Sequence, residues 1–142
     1  MQQECMNMSM DHGRMPYVFS VERAAVRNRN FRTAVWTGDN LQMTLMSIVP
    51  CGEIGLEIHT DTDQYLRIEQ GNGVVQMGRC RQQLDFRKNV CRGDAIFVPA
   101  GTWHNLTNTG RGNLLVSSVY APPNHPRGTI HRTKEEAELS ES

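Results

Sequence analysis

Short segments of alternating or β-branched residues recur along the chain, and polar turns separate them. The turns TGDN, GNG and TGRG carry Gly, Asn and Asp, residues that favour chain reversals. Segments of this length and composition are typical of β-strands. Many short strands at regular spacing predict an all-β fold, an antiparallel sandwich or barrel. The predicted strands are residues 17–21, 31–36, 41–49, 55–59, 64–70, 73–78, 82–86, 94–98, 103–108 and 113–120.

Only two segments have the composition of a helix. SVERAAVRN, residues 20–28, predicts one or two helical turns before the barrel, and TKEEAELSE, residues 133–141, contains strong helix formers without a broad apolar stripe. Within the strand pattern, Met43, Met46 and Phe97 are predicted core residues.

The ends of the chain are more polar than its middle, and this contrast predicts the domain plan. We expect a flexible N-terminal tail over residues 1–14, one barrel domain over residues 15–123, and a C-terminal arm with a short helix or tail over residues 124–142. The arm contains His125 and His131 among prolines. We expect it to wrap the barrel or a partner subunit.

Charge and composition exclude several classes of partner. The 142 residues contain 15 basic and 15 acidic side chains, which gives a formal net charge of zero. No basic run suggests a nucleic-acid or membrane surface, and no apolar stretch is long enough to span a bilayer. The N-terminus lacks the basic and apolar blocks of a secretory signal, so a cytoplasmic location is expected. The four cysteines Cys5, Cys51, Cys80 and Cys91 show no CxxC pair and are predicted to be reduced thiols.

One histidine follows a turn at the start of a predicted strand. In GDAIFVPAGTWHN, Pro99 ends the incoming strand and Gly101 permits a sharp reversal. The next strand then presents His104 on the same face as Leu106, because side chains alternate along a strand. A lone histidine of this kind is either a hydrogen-bonded core residue or a metal ligand. The choice depends on other ligand-type residues nearby.

Such residues occur in GEIGLEIHTDTDQYLRIEQGNG. Glu57 and His59 point the same way if residues 55–59 form a strand, and Gln64 opens the next predicted strand after a polar turn. Together with His104, these residues offer two imidazoles, a carboxylate and an amide oxygen. This donor set suits a first-row divalent metal such as Fe, Mn, Ni or Zn. The turn residues Asp61 and Asp63 are more simply explained as turn caps.

At these residues the sequence resembles the cupin superfamily, over roughly residues 41–120. The second cupin motif, Gly-x5-Pro-x-Gly-x2-His-x3-Asn, fits at every fixed position. The first motif fits in spacing but not in every residue, because a glutamate and a glutamine replace a histidine and a glutamate. The second motif is matched by Gly93, Pro99, Gly101, His104 and Asn108. In the first motif, Glu57, His59, Gln64 and Gly71 occupy the family positions, and Gly52 or Gly55 lies near the first glycine position without matching its offset.

The resemblance implies a double-stranded β-helix, a jelly-roll barrel, with a metal held by Glu57, His59, Gln64 and His104. The formal charge of this set equals that of the usual family set, since the one carboxylate has only moved to position 57. Two alternatives stay open. Glu57 acts as a general base if it is not a ligand, or it bridges the two histidines by hydrogen bonds in a site without metal.

Three functions are compatible with these residues. The first is an enzyme of isomerase or lyase type that acts on a small polar, sugar-like or carbonyl substrate, since small cupins of this kind resemble sugar-isomerase relatives. The second is an iron-dependent dioxygenase, because two histidines and a carboxylate form the ligand set of non-haem iron oxygenases. The third is a non-catalytic barrel that binds a small ligand. The family also implies a homodimer, which would cover exposed strand edges.

Overall fold

The computed structural model describes residues 10–141, which form two antiparallel β-sheets and two short helices. The larger sheet has the strand order β6-β3-β8-β2-β1-β9 and the smaller one β5-β4-β7. The antiparallel all-β prediction is confirmed. In chain order the elements are α1 (Val21–Arg27), β1 (Arg32–Thr37), β2 (Gln42–Ile48), β3 (Asp63–Gln70), β4 (Asn72–Gly78), β5 (Phe86–Cys91), β6 (Ala95–Val98), β7 (Trp103–Asn108), β8 (Leu114–Ala121), β9 (Ile130–His131) and α2 (Lys134–Glu141).

The core lies between the two sheets and is built from alternate residues of each strand. Leu66 and Ile68 of β3 point inward, and the intervening residues point outward. Burial of one apolar face in each sheet is the main force that holds the two sheets together. The buried cluster contains Phe31, Met46, Ile48, Ile54, Leu66, Ile68, Val75, Met77, Val90, Ile96, Val98, Leu106, Leu114, Val116 and Ala137.

Phe97 lies outside this core, so the prediction for it is wrong. It is 69% exposed, because it sits between the inward residues Ile96 and Val98 on β6. Phe97 pairs with Tyr65 of β3, and the two ring centroids are 5.1 Å apart. Met46 is buried as predicted, whereas Met43 packs on the outer face of the sheet.

Three predicted strands differ from the observed elements. Residues 17–21 contain no strand, and helix α1 begins at Val21 because the Ser20 hydroxyl accepts a hydrogen bond from the Arg23 amide at 3.3 Å. Residues 55–59 form only an isolated bridge to β7. Residues 82–85 turn the chain, and the strand follows at Phe86–Cys91. Its exposed, charged side chains mark it as a sheet edge, which hid its strand character.

The C-terminal arm packs against the barrel of its own chain. Strand β9 pairs with β1, placing His131 opposite Arg32, and Ala137 of the predicted helix α2 is buried in the core. Arg32 is only 2% exposed. It lies opposite Met46 on the inner face, and its Nη1 is 3.1 Å from His131 Nδ1.

The residues around Asp11 are also fixed to the barrel, in contrast to the expected tail over residues 1–14. The buried Asp11 carboxylate accepts hydrogen bonds from the Thr37 hydroxyl at 2.5 Å and from the amides of Gly128 and Gly13 at 2.9 and 3.1 Å. Asp11 therefore joins the N-terminal segment, the end of β1 and the arm. Residues 1–9, with Cys5, lie outside the described part.

Two further expectations concern thiols and membranes. Cys51, Cys80 and Cys91 are free and exposed, as predicted for reduced thiols. Across residues 10–141, none of the helices has the length and apolar character needed to cross a bilayer.

Asp11→Asn is expected to lower the free energy of unfolding at pH 7 by about 1–3 kcal/mol, since it weakens hydrogen bonds to a buried carboxylate. Burial tends to raise the pKa of Asp11, but the hydrogen bonds from Thr37, Gly128 and Gly13 and the charge of Arg127 outweigh it and lower that pKa below 3.8. The stabilisation is therefore present above pH 3.8 and lost as the pH falls through the lowered pKa.

Urea unfolding between pH 7 and pH 2.5 measures this effect. The matched control is Asp39→Asn, because Asp39 makes only an exposed ion pair with Arg14, a type of contact that contributes little. The expectation would be contradicted if the two substitutions lowered the free energy of unfolding equally at pH 7. It would also be contradicted if Asp11→Asn lowered that free energy by the same amount at pH 7 and at pH 2.5.

Candidate metal centre

The Pro-Ala-Gly turn fixes the start of β7 and hence the position of His104. The Thr102 amide donates to the Pro99 carbonyl at 3.2 Å, and Gly101 adopts φ +81°, as the third position of a type II turn requires. The Gly101 amide donates to the His59 carbonyl at 2.8 Å. The turn therefore connects the segment that carries His59 to the strand that carries His104.

Asp63 supports the same turn from β3. Its Oδ1 accepts a hydrogen bond from the Ala100 amide at 2.8 Å. Asp63 therefore caps the Pro-Ala-Gly turn and not, as predicted, the polar turn that precedes it. Asp61 is exposed.

The segment before His59 is extended and lies along β7. The peptide groups of Glu57 and His104 exchange two hydrogen bonds of 3.0 and 2.9 Å, and the Ile54 amide donates to the Leu106 carbonyl at 2.9 Å. A pair of residues that exchange both hydrogen bonds has side chains on the same side of the sheet. This pairing places the Glu57 carboxylate beside the His104 ring.

The structure brings together Glu57, His59 and His104. Glu57 Oε2 lies 3.5 Å from His59 Nε2 and 3.4 Å from His104 Nε2. One ligand atom from each of the three residues lies within 4.8 Å of the other two. Two imidazole nitrogens and a carboxylate oxygen at these separations could hold a metal ion.

The hydrogen bonds of His104 show which of its nitrogens faces the site. Nδ1 lies 3.0 Å from the Thr102 carbonyl oxygen, which can only accept a hydrogen bond, so Nδ1 carries the proton. In the neutral ring, Nε2 is then unprotonated, and its lone pair points toward the Glu57 carboxylate. Metal-binding histidines are commonly held this way, with one nitrogen on a backbone carbonyl and the other on the metal.

Three of the predicted metal ligands have a buried polar atom without a hydrogen-bond partner in the described part of the chain. His59 Nε2, His104 Nε2 and Gln64 Oε1 are fully buried and have no hydrogen bond within residues 10–141. Buried polar atoms are nearly always satisfied, and a lone pair against a carboxylate needs a cation, either a proton or a metal, between them. The donor set therefore fits a divalent metal.

Gln64 occupies the inner face of β3, and its amide is already oriented. Its Nε2 donates to Ser118 Oγ at 2.8 Å, which leaves the carbonyl end of the amide as the unsatisfied one. An amide oxygen is an acceptable if weak ligand for a first-row metal, and it also accepts hydrogen bonds from a bound water.

The charge state of Glu57 suits a ligand. Burial tends to raise the pKa of this carboxyl, but hydrogen bonds and positive charge from the His104 and His59 imidazoles, when these are protonated, outweigh it and hold the pKa well below its usual range. A carboxylate that resists protonation is a poor proton acceptor at neutral pH. The alternative role of Glu57 as a general base is therefore less well supported than ligation.

Two of the three residues, Glu57 and His59, border a cavity of about 640 Å³, and its other wall is the C-terminal arm. The size is that of a small-molecule site. Within the described part of the chain, no lysine or arginine lines this cavity. The lining residues are Glu57, Ile58, His59, Asn124, His125, Pro126, Thr129, Ile130, His131, Glu136 and Ser140.

The arm wall is the part of the site that sequence reasoning missed. The two histidines among prolines were the only signal, and they indicated an arm without showing which surface it covers. A third residue, Tyr120 of β8, is buried between the two walls, with its ring centroid 5.8 Å from that of His59 and 5.2 Å from that of His125. Burial raises the pKa of the Tyr120 hydroxyl.

The last residue of the second motif serves the fold and not the site. The buried Asn108 side chain donates to the carbonyls of Ile48 and Gly112 at 2.8 and 2.9 Å and accepts from the Gly110 amide at 2.8 Å. It therefore fixes the turn after β7, away from the metal-binding atoms.

Comparisons with known proteins agree with this architecture. The chain is 53% identical over 131 residues to the uncharacterized protein YrkC of Bacillus subtilis, covering 92% of this chain and 70% of that protein. It is 35% identical over 115 residues to the uncharacterized protein L612 of Acanthamoeba polyphaga mimivirus, covering 80% and 70% of the two chains. The crystal structure of BH2720 from Bacillus halodurans superposes with a TM-score of 0.91 at 52% identity, covering 93% and 99%.

The family model of the cupin domain matches residues 44–120. This range begins within β2 and ends within β8, so it includes the ligand-bearing turn, the paired segment before His59 and both candidate histidines. The all-β jelly-roll fold expected from the resemblance is therefore confirmed, and the chain belongs to the cupin family.

Proposed function

We propose that the chain binds one divalent transition metal through Glu57, His59 and His104, with Gln64 as a fourth ligand, and acts as an enzyme on a small polar substrate. The observation that carries the proposal is the pair of buried, unsatisfied nitrogens His59 Nε2 and His104 Nε2, which lie 3.5 and 3.4 Å from the Glu57 carboxylate. Such an arrangement is costly without a cation.

The donor types favour Fe, Mn, Ni or Zn over a hard ion such as Mg²⁺ or Ca²⁺, because two of the donors are imidazoles. When bound, such a metal supplies Lewis-acid polarisation of a carbonyl or stabilisation of an enediolate. This chemistry supports isomerase- or lyase-type reactions of a sugar-like or carbonyl substrate.

The cavity wall supports an uncharged substrate. Asn124, Thr129 and Ser140 offer neutral hydrogen-bonding groups, and Glu136 adds a carboxylate on the arm side. Recognition of a phosphate or a free carboxylate usually requires arginine, lysine or a helix N-terminus, and no basic side chain occurs among the described lining residues. The site therefore favours hydroxyl and carbonyl groups over anions.

A second candidate function is an iron-dependent dioxygenase. The specific observation in its favour is the composition of the compact group, two histidines and one carboxylate, which is the ligand set of non-haem iron oxygenases.

The homodimer that the family resemblance implies stays a prediction.

Metal content is the first expected outcome. Protein purified without an affinity tag for metal and without chelator should contain close to one equivalent of a first-row metal by elemental analysis. Glu57→Gln and His104→Ala should each lose it, because each removes one donor of the set. The matched control is Glu136→Gln, a cavity glutamate outside the ligand set, which should keep the metal. Wild-type protein that is metal-free and takes up no added iron, manganese, nickel or zinc would exclude a metalloenzyme and favour a ligand-binding barrel.

The Pro-Ala-Gly turn is expected to influence metal affinity. Gly101→Ala and Gly93→Ala both place a side chain at positive φ, +81° and +91°, with open space around the new Cβ, so each should cost about 1–2 kcal/mol of stability. Only Gly101 donates to the His59 carbonyl, so only Gly101→Ala should also weaken zinc binding, by about 10- to 100-fold as for other groups that orient metal ligands. Calorimetric titration of both variants makes the comparison. Equal zinc affinities would show that the turn does not set the ligand geometry.

Reaction type is tested by hydrogen exchange. Metal-loaded protein incubated in D₂O with glyceraldehyde, dihydroxyacetone or ribose should catalyse exchange or isomerisation at the carbon next to the carbonyl, detected by proton NMR, equally in air and without oxygen. Glu57→Gln, incubated with the same metal, is the control and should be inactive, because it does not retain the metal. Oxygen consumption by the iron-loaded protein, absent with zinc, would favour the dioxygenase.

A further inference from the structure

The side-chain amide of Gln42, on β2, is buried, and both its oxygen and its nitrogen make hydrogen bonds. It is fully buried, and its Oε1 accepts from the amides of His125 and Asn124 at 2.9 and 3.1 Å. Its Nε2 donates to the His125 carbonyl at 2.8 Å and to the Thr37 hydroxyl at 3.0 Å. One side chain thus binds both the N–H and the C=O of His125 and fixes that peptide to the barrel.

The ring of His125 is held as well as its backbone. It meets the Tyr120 ring edge-on, with centroids 5.2 Å apart, and the His131 ring edge-on at 6.2 Å. The Tyr120 ring is itself 5.8 Å from that of His59. His125 therefore faces the cavity that Glu57 and His59 border, from the wall opposite the candidate metal ligands.

The neighbouring His131 has its two nitrogens committed to the fold. The Arg32 guanidinium can only donate, so His131 Nδ1 accepts from it, and Nε2 faces the Ser140 hydroxyl at 3.0 Å. Within residues 10–141, the one side-chain hydrogen bond of His125 is with its neighbour Asn124, at 3.5 Å and at the exposed edge. Of the two arm histidines, His125 is the one with hydrogen-bonding capacity left for a ligand.

His125 is uncharged under ordinary conditions. Burial is the main cause that lowers its pKa to about 3; the charges of Arg32, His131 and His59 act in the same direction, and the charge of Glu57 opposes them. A neutral imidazole keeps one N–H donor and one acceptor nitrogen, a combination that matches a hydroxyl or carbonyl group.

We infer that His125 is a substrate-binding residue of the cavity and that Gln42 is its positioning residue. The inference rests on the proposed metal site, and it specifies the ligand class. The ligand is a small uncharged molecule that offers oxygen to the metal and a further hydroxyl, carbonyl or N–H group to the His125 imidazole.

Acetohydroxamate is a suitable probe, because it presents two oxygens to a metal and an adjacent N–H group. Zinc-loaded wild-type protein should bind it, as measured by calorimetry. His125→Phe keeps an aromatic ring between Tyr120 and His131 but removes both nitrogens, and should weaken binding by about three- to tenfold, the effect of one neutral hydrogen bond, at unchanged zinc content. The matched control is His12→Phe, since His12 is exposed and stacks on Tyr17, and it should bind as wild type.

The outcomes separate the two proposals. Wild-type protein that takes up no zinc overturns the proposed function and this inference with it. Protein that takes up zinc but does not bind acetohydroxamate, or binds it equally well in His125→Phe, overturns this inference alone.

A double-mutant comparison tests the role of Gln42. Gln42→Leu should weaken acetohydroxamate binding about as much as His125→Phe, and the double variant should be no weaker than His125→Phe alone, because both changes act through the same imidazole. Gln42→Glu keeps the two accepted hydrogen bonds and should retain more affinity than Gln42→Leu. Additive losses in the double variant, at equal thermal stability, would show that Gln42 does not act through His125.

Discussion

Two peptide hydrogen bonds between Glu57 and His104 set the geometry on which the candidate site depends. They hold an irregular segment against the strand β7, so that a carboxylate and an imidazole from distant parts of the sequence meet at 3.4 Å. The Pro-Ala-Gly turn adds His59, through its carbonyl. Backbone contacts are well suited to this purpose, because they fix position without using the side-chain donors that the metal needs. The result is a set of ligand atoms that is oriented before any cation arrives, which lowers the entropic cost of binding.

Buried polar side chains hold the C-terminal arm, which forms the other wall of the cavity. The arm has little apolar surface of its own beyond Ala137 and is tied to the barrel by Asp11 at Gly128, by Gln42 at His125 and by Arg32 at His131. Each of these groups is buried, and a buried polar group is stabilising only when its partners are in place. The arm is therefore held in one arrangement, because any shift would leave these groups unsatisfied.

Local patterns predicted much of the fold and one wall of the site. The strand spacing indicated the sheets, and the alternation of side chains along an extended chain was enough to predict that Glu57 and His59 point the same way. The exceptions have physical causes. Phe97 was assigned to the core by its residue type, but alternation on β6 places it outside. Strand β5 is a charged edge with a single buried side chain, Val90, so periodicity could not reveal it. The position of the arm depends on single long-range hydrogen bonds, for which a sequence offers no periodic signal.

The division of the cavity between two separate stretches of chain has an evolutionary consequence. All the candidate metal ligands lie before residue 105, within the two cupin motifs, whereas the facing wall is a single contiguous segment, residues 124–140. Substitutions in that segment alter the surface that faces the candidate ligands and leave those ligands untouched. Under the proposed function, a lineage of such barrels can therefore diversify its substrates by changes in one short terminal region, while the metal-binding residues are inherited unchanged.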